Sequence, residues 1–190
     1  MFRRIFGSNN VRAADQAEAA LTTAPTTAGD TATVRRIVAR LEAMPAEQAR
    51  FIAAAAYTLA RAANADQDIS ADETAEIERA LQGHDSVDEA TAVLVTEMAK
   101  LQSRTVGGTE DYVVTREFRN LASEAQRIDV LRACYAISAA SGSISAEENA
   151  VVNEIARELD LDPAAVNAVR AAFHDRISAV QEVRRLAGTD

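Results

Sequence analysis

Ala65-Asp-Gln-Asp-Ile-Ser-Ala-Asp-Glu73 and Ala140-Ser-Gly-Ser-Ile-Ser-Ala-Glu-Glu148 are two versions of one phrase, set 75 residues apart when Ile69 is aligned with Ile144. In each, a serine is followed three residues later by a glutamate. That spacing writes a capping box: the serine hydroxyl accepts from the backbone N–H at the third helical position, and the glutamate there reaches back to the serine N–H. Asp72 and Glu147, beside the box glutamates Glu73 and Glu148, suit the positive N-terminal end of a helix. Ile69 and Ile144 precede the caps, where an apolar residue can staple onto the first turn. Each phrase therefore starts a helix, and an alanine-rich apolar stretch precedes each. The pattern predicts two related helix–loop–helix hairpins about a pseudo-two-fold axis. Two copies are too few for a solenoid, whose units need several neighbours.

Working outward, the same periodicity continues. Val34, Ile37, Val38 and Leu41 share one helical face, and Pro45 opens the next helix at its first turn. Phe51, Ala55, Leu59 and Ala63 form a stripe on that helix, and Ile77 and Leu81 one on its partner, which Gly83 ends. Val87, Ala90, Leu94, Met98 and Leu101 repeat at steps of three and four, before Gly107-Gly108 breaks the chain. Val114, Phe118 and Leu121 mark a further helix, and Ile128, Leu131 and Tyr135 another. Val152, Ile155 and Leu159 follow the second loop. Asp162-Pro163 then supplies an N-cap and a first-position proline for one long final helix carrying Val166, Val169, Phe173, Ile177 and Val180. No strand-like alternation of useful length occurs. The expected fold is an all-α multi-helix bundle without a sheet. Residues 34–188 would form the helical domain. Residues 1–33 read as a short amphipathic stub followed by a linker rich in Ala, Thr, Ser, Asp and Asn.

Composition narrows the function classes. A net charge of -9 argues against nucleic-acid binding, which needs basic surface. Cys134 is the one cysteine, so neither an internal disulfide nor a cysteine metal cluster is available. It lies in the apolar run from Leu131 to Ile137, where it reads as a small core residue. His84 and His174, the two histidines, sit in no nucleophile motif. No phosphate-cradling glycine loop, nucleophile elbow or Glu-x-x-His metal pair is present. The expectation is a non-enzymatic protein. No secretory leader follows Met1, and Phe51 to Ala60 is too short to span a bilayer, so the expected location is cytoplasmic.

Two readings of the loops stand side by side. In the first, the carboxylates only cap helices. In the second, Asp66, Asp68, Asp72 and Glu73, with Glu148 from the second copy, offer hard oxygen ligands to calcium or another divalent cation. The spacing is not that of an EF-hand: counted from Asp66, the sixth position is Ala71 and the twelfth is Ile77. Phe2, Arg3, Arg4, Ile5 and Phe6 could enter a partner groove or an anionic membrane surface, giving peripheral membrane contact through residues 1–6.

The two loops, together with the stretch Val151-Val-Asn-Glu-Ile-Ala-Arg-Glu-Leu-Asp-Leu-Asp-Pro-Ala-Ala-Val166, resemble the TerB-like family. Its members include a tellurite-resistance protein and the N-terminal domain of a membrane-anchored DnaJ-like co-chaperone. The family's loop reads Ala-Asp-Gly-x-Ile-x-x-x-Glu, often in two copies. Ala65, Asp66, Ile69 and Glu73 match the first copy, with Gln67 where the family has Gly. Ala140, Gly142, Ile144 and Glu148 match the second, with Ser141 where the family has Asp. The resemblance runs from about Val34 to Phe173. It implies an all-helical module, a stress-response setting, an address at the inner face of the membrane, and Asp66 and Glu73 as metal-binding positions; the expected role of the helical domain is to dock a protein partner.

Overall fold

The computed structural model describes residues 39, 42–83, 87–105 and 109–188. The chain divides into two units, Met1–Arg50 and Phe51–Asp190. The stub, the linker and the helix expected from Val34 to Leu41 fall outside the described residues, save for position 39, as do His84 and Gly107-Gly108. Of the first unit, the described part ends in the start of helix α1 (Ala46–Ala63). Pro45 stands one position before that helix, where its carbonyl accepts from Ala49 N–H at 3.0 Å. Proline at this position sacrifices no helical hydrogen bond.

Seven more helices follow among the described residues: α2 (Ala71–Gln82), α3 (Glu89–Thr105), α4 (Thr109–Leu121), α5 (Glu124–Ser138), α6 (Ala146–Glu158), α7 (Pro163–Ala172) and α8 (Ser178–Ala187). Two 3-10 turns, Asn64–Asp66 and His174–Arg176, join α1 to the first loop and α7 to α8. No strand forms among the described residues, so the all-α expectation holds. The hairpins α1–α2 and α5–α6 interlock reciprocally. Helix α2 packs on α5. Conversely, Arg61 of α1 reaches Glu158 of α6. Ile77 and Val152, equivalent under the repeat, are both fully buried.

The core is aliphatic and small-residue-rich. Alanines 54, 55, 56, 60, 62 and 63 line α1 beside Ile52, Tyr57 and Leu59, all buried. Alanine costs no side-chain entropy on burial, so α1 can be covered nearly all round. Leu131, Cys134, Tyr135 and Ile137 of α5 are inaccessible, as are Val152, Ile155 and Leu159 around α6. Phe51 packs against Phe118 with ring centroids 5.3 Å apart, and Tyr135 stacks on Phe173 at 5.5 Å.

Two stripes differ from expectation. On α3 the buried face carries Thr91, Ala92, Val95, Thr96, Ala99 and Ser103, whereas Ala90 and Leu101 are exposed and Leu94 and Met98 half-buried. Side-chain size misleads here: the buried face takes mostly small residues, and the larger ones flank it. The long final helix is also broken. Ile177 leaves helical geometry at φ -69°, ψ 121° and pairs with Ile144 in an isolated parallel bridge. Ile144 N–H donates to Arg176 C=O at 2.7 Å, and Ser178 N–H donates to Ile144 C=O at 2.9 Å. The first loop is tied differently: Asn64 Nδ2 donates to the carbonyl of Ser103 on unbroken α3 at 3.2 Å. A tertiary backbone pairing, which local periodicity cannot carry, decides the break.

Candidate functional site

The first loop is built around a left-handed residue. Gln67 has φ 69° and ψ 10°, and its N–H closes the 3-10 turn onto Asn64 C=O. Gly142, its equivalent in the second loop, also has a positive φ, 107°. The loop geometry is therefore conserved between the copies although glycine is present in only one. Asp66 Oδ1 then accepts from Asp68 N–H at 3.0 Å, an Asx-type contact that steadies the turn.

Both capping boxes form. Ser70 N–H donates to Glu73 Oε2 at 2.8 Å, and Glu73 N–H donates to Ser70 Oγ at 3.2 Å. In the second copy the corresponding bonds are 2.7 Å to Glu148 Oε2 and 3.1 Å to Ser145 Oγ. Glu73 and Glu148 are 5% and 6% exposed, so neither carboxylate has room for much solvent. Burial pushes the Glu73 carboxyl above its ordinary range. The bonds to Ser70 pull it back, and the negative charges of Glu148 and Asp66 add to the rise. A third box, Ser123 with Gln126, starts α5 with an uncharged side chain in the same role.

Asp66, Asp68 and Asp72 are exposed. Among the described residues, no three His, Cys, Asp or Glu side chains group as a metal ion would need. The structure thus gives Glu73 and Glu148 hydrogen-bonding work at helix starts, and it leaves the three aspartates on the surface. Phe2, Arg3, Arg4, Ile5 and Phe6 lie outside the described residues.

The cluster that sequence reading passed over is centred on Arg61. Its guanidinium is 8% exposed and meets Glu158 at 2.6 Å, Glu154 at 2.9 Å and Asp111 at 3.9 Å. Thr115 Oγ1 accepts a further bond at 3.2 Å, and Tyr57 Oη donates to Asp111 at 2.7 Å. Burial, the largest single effect, lowers the Arg61 pKa, but the bond and charge of Glu158 together with the charges of Asp111 and Glu154 outweigh it and leave the pKa raised. The signal was present in spacing: Tyr57 with Arg61, Asp111 with Thr115, and Glu154 with Glu158 are each i, i+4 pairs on one helical face. Cys134 is fully buried and its thiol is pushed up to about 12, chiefly by burial, as suits a core residue.

The exposed apolar side chains lie elsewhere. Val183 and Leu186 of α8 are 66% and 75% exposed, and Tyr112 and Val113 of α4 are 48% and 57% exposed. Val180, Val183, Leu186 and Ala187 fall on one side of α8, with Val183 three residues from Val180 and from Leu186 and four from Ala187. The helix packs chiefly on the 3-10 turn before it. Arg184, beside the stripe, pairs with Asp175 at 2.7 Å.

A family model described as tellurite resistance protein TerB matches residues 51–171. The chain belongs to the TerB family. The match takes in both loops, both glutamate capping boxes and the Arg61 cluster, and it ends within α7. Helix α8 lies beyond the TerB match. No curated protein and no solved structure matches the chain. Among the described residues no helix is long and apolar enough to cross a membrane.

Proposed function

We propose that this TerB-family chain is a non-enzymatic binding module that docks a protein partner through its helical surface. The observation that carries the reading is α8, which presents Val183 and Leu186 to solvent outside the family-matched body. Isolated exposed apolar residues are ordinary, but a stripe of them on one helix face marks a contact surface. The non-enzymatic part is supported by the employment of the buried ionisable groups: Glu73 and Glu148 in caps, Arg61 in an ion-pair cluster, Cys134 in the core. The family is described by tellurite resistance, so a stress-response setting in the cytoplasm is our proposed place to look for the partner. Phe2 to Phe6 would add a second attachment at an anionic membrane surface, tested by liposome sedimentation of the full chain against one lacking residues 1–6. Photoreactive side chains at 183 and 186 test the main reading in cells. A discrete cross-linked protein is expected from these positions and not from Gln181, on the far side of α8. The same products from all three positions, or none from any, would refute it.

A divalent-cation site at the acidic loop from Asp66 to Glu73 is the second reading, and one observation beside that loop favours it. Asn64 Oδ1 and Asn149 Oδ1 are buried without a hydrogen-bond partner. They lie on the 3-10 turn and on α6, which touch one another. Unpaired buried acceptors are costly and would suit a cation. Replacing both asparagines by alanine should erase any calcium-dependent rise in Tm if a cation pairs them. With no such rise in the parent protein, the reading fails.

A further inference from the structure

We draw no further inference here: the strongest candidate, the exposed carboxylates Asp66, Asp68 and Asp72 at the first loop, belongs to the divalent-cation reading already stated.

Discussion

Replacing Glu73 separates capping geometry from charge. In Glu73→Ala, Ser70 N–H loses its 2.8 Å acceptor at a site only 5% exposed. A lost cap of this kind costs about 1 kcal/mol. For a chain of this size that lowers Tm by roughly 2–4 °C. Glu73→Gln keeps an amide oxygen at the same reach, as the Ser123–Gln126 box does with a bond of 2.8 Å. It also removes a charge that the folded state disfavours. Because folding raises the Glu73 carboxyl, chiefly by burial, the folded protein holds that proton to higher pH than the unfolded chain does. Stability from this group is therefore fully present below the unfolded value, falls as pH rises through the folded value, and is level above. Glu73→Gln should lack this fall. At pH 7 it should match or exceed the parent in urea and thermal unfolding, and the difference should close as pH drops towards the ordinary carboxylate range. Equal losses in Glu73→Gln and Glu73→Ala at pH 7 would refute the capping account, because the carboxylate charge would then be what the fold requires.

Three further outcomes are expected. Gln67→Gly relieves a left-handed residue, worth about 1–2 kcal/mol, against about 0.4–1 kcal/mol for the freer unfolded chain; chemical denaturation should show a net gain of roughly 0.5–1 kcal/mol. Arg61→Met removes the guanidinium that faces buried Glu158 at 2.6 Å and should cost about 3 kcal/mol, at the low end for a broken buried pair because Glu154 is 53% exposed; a Tm drop under about 2 °C would contradict the cluster's structural weight. Cys134, with its thiol pushed up to about 12, should resist thiol reagents at pH 8 in the native protein and react once it is unfolded; stoichiometric native labelling would overturn its place in the core.

Much of the fold was legible because its signals are local. The Ser70–Glu73 and Ser145–Glu148 boxes, Asp162 before Pro163, and the stripes Ile77–Leu81 and Val152–Ile155–Leu159 depend on spacing within a turn or two, and each is found in place. The Ile144–Ile177 bridge was not legible. It joins segments far apart in sequence through backbone atoms that carry no side-chain signature. The α3 stripe was misplaced because close helix packing rewards small side chains, and Thr91, Ala92 and Ala99 outrank Leu94 and Leu101 there. At the loops, composition alone could not divide capping from metal binding, since both use the same carboxylates. The hydrogen bonds to Ser70 and Ser145 show the capping role. Gln67 adds a lesson of its own: the fold keeps the left-handed turn even where glycine is missing.

Calorimetric titration of the chelator-stripped full chain with calcium, then with other divalent ions, tests most directly whether the loop carboxylates are caps. The account predicts no saturable heat and an unchanged Tm, in the parent and in a Glu73→Gln, Glu148→Gln double variant alike. Saturable uptake near about one ion per chain, with a raised Tm that the double variant loses, would contradict it.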